Sequence, residues 1–269
     1  MTGFSADWLA LREPYDARAR NPLVLDAVVA AFKGCPSIRI VDLACGTGST
    51  LRALAPRLPV DQNWRLIDND LGLLARATSM AHPAGVAVAG VPLDLSRDLE
   101  AALDGSVDLI TASALLDLVS EAWLERFVVE IVARSIPVYV ALSYDGRTEL
   151  GPADSLDAAI IVAVNTHQRT DKGFGPALGP TAASFAIARF ESLGYSVVHG
   201  ESDWVIGPHD RDIQLELLAG WAGAAREVGE LSLADAVGWL TRRRDAVTAG
   251  RSSIRLGHID IFARPMGTR

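Results

Sequence analysis

The sequence predicts an α/β fold, a doubly wound and mostly parallel sheet with helices on both faces. Three observations carry this. Five short runs rich in apolar residues (38–43, 64–70, 86–91, 106–111 and 136–144) alternate with segments of helical pattern, the order that makes βαβ units and a parallel sheet. The first run, Ile38-Arg-Ile-Val-Asp-Leu43, has apolar residues at both odd and even positions, as a strand needs when helices cover both sides of it. That run ends in a turn of small residues, placed where open α/β sheets take their ligands.

The chain has 269 residues, 49% of them hydrophobic, enough for one large core. Its formal net charge is −8. That balance argues against broad contact with a phosphate backbone, which needs clustered Lys and Arg, so no nucleic-acid partner is expected. Two cysteines, Cys35 and Cys45, imply no disulfide framework and suit a reducing cytoplasm. The N-terminus lacks a basic start followed by an apolar core, and no stretch is apolar for about 18 residues, so neither a signal peptide nor a membrane span is expected. The five histidines are scattered and no HxxxH or CxxC spacing occurs, so no metal site is expected. A monomer or homodimer is consistent with all of this.

The turn itself reads Asp42-Leu-Ala-Cys-Gly-Thr-Gly48 and opens a helix at Ser49. Small residues at 44, 46 and 48 let the backbone approach a ligand closely. A dinucleotide turn needs a third small residue where Leu51 stands, and its pyrophosphate would sit badly beside Asp42. A ligand carrying positive charge suits the acid better. This segment resembles the first motif of the class I S-adenosylmethionine (SAM)-dependent methyltransferases, with Ala44 in place of the first glycine. The resemblance implies SAM as cofactor, S-adenosylhomocysteine (SAH) as product, and a Rossmann-like sheet of seven strands whose last strand is antiparallel. It also implies that Asp42, Ala44, Gly46 and Gly48 cradle the cofactor.

The remaining elements are read against that frame, and the resemblance reaches from about Tyr15 to Tyr144. Residues 5–32 form one or two helices, broken at Pro14, with Pro22 in a first turn. In the family such a segment folds over the cofactor, so residues 1–35 are expected to be a helical lid. In it Tyr15 would lie on the methionine part and Arg20 would pair with its carboxylate; the alternative is a surface helix. Asp68 lies about 20 residues beyond Gly48, the distance of a ribose-binding acid, and is preferred over Asp70, which can cap the helix that starts at Leu71. Asn69 accompanies it. Asp94 matches the acid that serves the adenine amino group, with Leu95 offering its backbone amide; a helix cap is the alternative reading. Ser113 ends the fourth strand on the ligand side. Asp117 falls where relatives carry a polar residue near the methyl group.

Residues 36–269 then form the methyltransferase domain, with insertions at about 145–181 and 207–252. The first insertion carries His167, Arg169 and Lys172 within six residues beside two Gly-Pro steps, a pattern suited to reading an anion or to a plain solvated loop. A helix (182–193) leads to a sixth strand (195–199, extended by 203–205), then to a helical pair (210–228 and 233–249) forming a small cap, and to a last strand (257–263). A sulfonium methyl is already activated, so positioning does most of the chemistry. Candidates for a general base are His167, Tyr144 and Asp117. The expected function is transfer of a methyl group from SAM to a small, anionic metabolite, O- in preference to N-methylation. The alternative is a SAM- or SAH-binding regulatory or partner-binding protein without transferase activity.

Overall fold

The computed structural model describes residues 4–59, 61–229 and 231–266. Five parallel strands, β1 (Ser37–Leu43), β2 (Asp61–Asp68), β3 (Val86–Pro92), β4 (Leu109–Ser113) and β5 (Val138–Gly151), stand in the order 3-2-1-4-5. Beyond β5 lies β8 (Ser253–Pro265), antiparallel to it, and β6 (Tyr195–Glu201) pairs with the far side of β8. A short strand β7 (Trp204–Ile206) continues along that same side of β8, so the expected extension of the sixth strand exists as a separate piece after Ser202 and Asp203. The sheet is mostly parallel with its last strand antiparallel, as the sequence implies.

Alternation along the strands feeds two cores. Ile38 and Ile40 face one side with Trp64, Leu66, Tyr139 and Phe262. Val41 and Leu43 face the other with Ile67, Ile110, Val138, Val140 and Ile261. The first side is covered by α2 (Pro22–Ala31), α3 (Ser49–Leu54) and α4 (Leu71–Ser79), the second by α5 (Leu99–Ala102), α6 (Glu121–Arg134) and α8 (Ala182–Ser192). A third core gathers α7 (Asp157–His167), α9 (Arg211–Val228) and α10 (Leu233–Thr248) around Tyr144, Trp204, Trp221 and Trp239.

Two element boundaries differ from the sequence reading. β5 runs on to Gly151 and β8 begins at Ser253, because the two strands stay paired beyond the sheet as a ribbon, Thr148 opposite Leu256 and Leu150 opposite Ile254. With only one covered face, the ribbon alternates polar and apolar residues, and its glycines gave it the look of a loop. The first helix, α1 (Ala6–Ala19), passes straight through Pro14. Ser5 caps it by accepting from the Trp8 amide at 3.1 Å, and Asp7 sits in the first turn.

Candidate active site

The carboxyl ends of β1, β2 and β4 and the turn after β3 converge on one hollow of about 520 Å³, within the range of small-molecule sites. Its floor is the small-residue turn. Ala44, Gly46 and Gly48 all take positive φ, 50°, 54° and 83°. This bends the chain back so that Asp68 Oδ2 accepts from the Gly46 amide at 2.8 Å. The other oxygen, Oδ1, accepts from the Asp70 amide at 3.0 Å. Asp70 in turn caps α4, receiving the Gly72 and Leu73 amides on Oδ1 at 2.8 and 3.0 Å. Asp70 thus caps α4 and Asp68 braces the turn, and both acids line the hollow.

Ala44, Gly46, Asp68, Asn69, Asp94, Leu95 and Ser113 all line this hollow. Asp94 is braced locally: Ser96 donates to Oδ1 from its amide and hydroxyl, and Arg97 donates to Oδ2. The Ser96 hydrogen bond, aided by Arg97, holds its carboxyl below the usual range. Among the described residues the Leu95 amide meets no acceptor, which leaves a donor at that wall.

Four expectations are corrected. Asp42 does not line the hollow. Its side chain shares the sheet face of Ile40 and is fully buried, with Oδ1 accepting from the Thr111 hydroxyl at 2.7 Å and Oδ2 unpartnered. Burial pushes its pKa up to about 7. Gly48 also stays outside: a Cβ there would stand 3.4 Å from Ala77 Cβ, so this position serves the packing of α3 against α4. Arg20 is buried under the sheet edge, donating to the Tyr139 hydroxyl at 3.1 Å and to Thr50 Oγ1 at 3.5 Å. Tyr139 in turn donates to Asp260, which also accepts the Leu142 and Asn21 amides at 2.8 and 2.9 Å. Arg20 therefore anchors the start of α2 to the sheet. Tyr15 donates to Asp210 at 2.8 Å and packs on Trp204, away from the hollow.

The N-terminal segment reaches the ligand space through other residues: Phe4, Leu9 and Arg12 line the main hollow. Arg12 also borders a small recess of about 50 Å³ beside Thr47, Ser49 and Thr50 at the start of α3. Asp16 holds it through two hydrogen bonds at 3.0 and 3.2 Å, and its guanidinium lies 5.1 Å from the Trp204 ring. The sequence signal was present. Leu9, Arg12 and Asp16 are spaced by three and four on one helix face, and that face runs on through Pro14, where the sequence suggests a break.

A second hollow, about 450 Å³, opens from the first, the two sharing Phe4, Arg12, Ala114, Leu118 and Lys172. Its walls are largely aromatic and aliphatic, with Trp8, Tyr144, Trp204 and Trp221 among them. Asp117, 6% exposed, lines it with Oδ1 unpartnered. Burial pushes the Asp117 pKa up to about 6. His258, which sequence reading passed over, lines it too, 4% exposed with Nδ1 unpartnered. No local signal marks it: it is a lone histidine on the last strand, brought there by pairing with Tyr144.

The cationic loop divides. His167 and Lys172 line the second hollow; Lys172 approaches His167 Nδ1 at 3.3 Å, and His167 Nε2 faces Glu227 at 3.0 Å. Partial burial lowers the Lys172 pKa. Arg169 is exposed, bonded to the Asn165 carbonyl at 3.4 Å, and lines neither hollow. Tyr144 donates its hydroxyl to Asn165 at 2.7 Å, and burial raises its pKa.

Residues 40–135 match the model of a family described as a methyltransferase domain. No protein of curated function matches the chain in sequence. Among solved structures, a cyclopropane-fatty-acyl-phospholipid synthase-like protein from Lactobacillus casei superposes with a TM-score of 0.55 at 14% identity, covering 97% of this chain and 94% of its own. The cyclopropane synthase MmaA2 from Mycobacterium tuberculosis gives 0.51 at 12% identity, covering 97% and 95%. At these identities they speak for the fold. The matched segment, residues 40–135, holds the turn, Asp68, Asp94 and Ser113, so the part of the chain that builds this hollow is similar to a methyltransferase domain. The lining fits SAM: three carboxylates, Asp68, Asp70 and Asp94, an amide side chain and a free backbone donor suit a cationic nucleoside, and the acids would repel a pyrophosphate.

Proposed function

We propose that this methyltransferase acts on a small molecule with a flat, apolar body, seated in the aromatic hollow, and that the acceptor atom is a hydroxyl oxygen. One observation carries the reading. The second hollow meets the first at Ala114 and Leu118, and Asp117, buried with its Oδ1 unpartnered, stands among its lining residues. A binding protein without transfer would have no need of an acceptor-sized space there.

SAM, when bound, supplies a methyl group already activated on sulfur. The chain supplies position and a proton acceptor. Asp68 accepts from the ribose hydroxyls while its hold on Gly46 keeps the turn in shape; Asn69 lies beside it. Asp94 and the Leu95 amide serve the adenine edge. Arg12 pairs with the amino-acid carboxylate at the small recess, in the role first assigned to Arg20. Aromatic walls hold the acceptor in line and exclude water, which favours a reaction that consumes charge. Asp117 takes the hydroxyl proton. Lys172 and His167 at the rim attract a negative substituent of the substrate.

The test is incubation of the protein with methyl-tritiated SAM and a panel of hydroxylated aromatic and alicyclic acids, reading label transfer and SAH release. Methylated product with at least one hydroxylated acid, and none with its O-blocked analogue, is expected. Transfer only to amines would overturn the oxygen assignment. SAH binding without transfer to any member would favour the regulatory reading.

A further inference from the structure

We infer that His258 is the specificity-determining hydrogen-bonding group of the acceptor hollow, reading a second polar substituent, a hydroxyl, on a flat aromatic substrate whose first hydroxyl is methylated. This rests on the proposed function and names the substrate class it would serve.

Arg12, His167, Gln168 and Lys172 supply the other polar lining of the acceptor hollow. The rest of its walls are largely rings and aliphatic chains, and the Tyr144 hydroxyl is spent on Asn165. Among the described residues, two buried side chains lining it carry an unpartnered polar atom, Asp117 and His258. Buried polar atoms are nearly always hydrogen-bonded in folded proteins, so each is a place where a ligand atom is expected. The two occupy different elements: Asp117 follows β4, next to the Ala114–Leu118 opening, whereas His258 lies on β8, flanked by Trp204 with ring centroids 5.4 Å apart and by Tyr144 at 6.2 Å.

The backbone that carries the imidazole is fixed in place. Asp203 receives the His258 amide at 3.3 Å, and the Ser202 amide donates to the His258 carbonyl at 2.8 Å. Burial, reinforced by the nearby Arg12 charge, holds its pKa down to about 3. A neutral imidazole presents one donor and one acceptor, matching a hydroxyl, which can answer either. A charged substituent would gain nothing there, and its binding falls to Lys172 and His167 at the rim. A site made to hydrogen-bond a hydroxyl also rejects the analogue that lacks it, because its own polar atom is then left buried and bare.

The experiment measures binding of mono- and dihydroxylated benzoates and naphthoates to SAH-saturated protein by calorimetry, alongside methyl transfer from SAM to the same compounds. At least one dihydroxylated member should bind about tenfold or more tighter than its congener lacking one hydroxyl. In His258→Leu that preference should fall to within about threefold, with SAH affinity unchanged. His258→Asn, which keeps a donor and an acceptor, should restore part of it and guards against a folding defect in the leucine variant. Survival of the preference in His258→Leu, indifference of every bound compound to the second hydroxyl, or binding by no member of the panel would each overturn the inference. Hydroxyl-dependent binding that His258→Leu abolishes, with no methyl transfer in the native protein, would sustain it and remove the transferase proposal instead.

Discussion

At the scale of single residues, the chemistry turns on Asp117. Its raised pKa comes from desolvation, and a carboxyl poised at about 6 is a better base near neutral pH than an exposed one. The base form exists above that pKa, so kcat/KM should fall tenfold per pH unit below about pH 6 and level off above it. Asp117→Asn should lower kcat by about 10²–10⁴-fold and erase the acid limb, leaving SAH affinity intact in calorimetry. An unchanged acid limb would move the role elsewhere; His167, tied to Glu227 and Lys172, is the next group in reach. A second prediction concerns the turn. Ala44 holds a left-handed φ of 50°, a conformation that costs an L-residue about 1–2 kcal/mol and glycine little. Glycine loosens the unfolded chain and returns part of that gain. Ala44→Gly should therefore stabilise the protein by about 0.5–1 kcal/mol in urea unfolding, and loss of stability would show that Ala44 packing outweighs its strain.

At the scale of elements, α1 meets the hollow with residues other than those the sequence singled out. The helix lines the hollow through Leu9 and Arg12, with Phe4 just before it, whereas Tyr15 and Arg20 turn to Asp210 and Tyr139. The cap of Asp70 on the first amides of α4 was legible because its geometry is local, whereas the hold of Asp68 on the Gly46 amide, 22 positions away, was not. Arg20 was not, since its partners Thr50 and Tyr139 lie 30 and 119 positions away. Nor was the ribbon of β5 and β8, whose alternating half-covered pattern matches a loop as well as a strand until its partner is known. This difference between Arg12 and Arg20 gives the third prediction. Arg12→Leu should weaken SAH binding by about 1.5–3 kcal/mol, the scale of charge-assisted hydrogen bonds. Arg20→Leu should leave SAH affinity within about threefold while lowering stability by about 1–3 kcal/mol, because the buried Tyr139 oxygen loses the guanidinium that donates to it. The reverse pattern in calorimetry and unfolding would restore Arg20 to the site.

For the whole molecule, the sheet order brings the ends of β1, β2 and β4 and the turn after β3 to one edge, and the α7, α9 and α10 core builds a second wall beyond it. The first part was readable from strand alternation and acid spacing, the second only from packing, since the residues that make the aromatic hollow are scattered from Trp8 to His258. A ligand seated among so many elements should couple to global stability. SAH at about 100 times its Kd adds about 2.7 kcal/mol of stabilisation, and for a domain of this size each kcal/mol is worth about 2–4 °C in Tm. A rise of about 5–10 °C is therefore expected by differential scanning calorimetry. Asp68→Ala removes both the ribose acceptor and the brace on Gly46, so its apo form should melt lower. The informative quantity is the rise on adding SAH within the variant, from which that intrinsic loss cancels. With affinity reduced by about 1.5–3 kcal/mol, the rise should shrink to less than half of the native one at the same SAH concentration. A full-sized rise in Asp68→Ala would mean the nucleoside is held without this carboxylate, and the cofactor assignment of the hollow would have to be redrawn around Asp70 and Asn69.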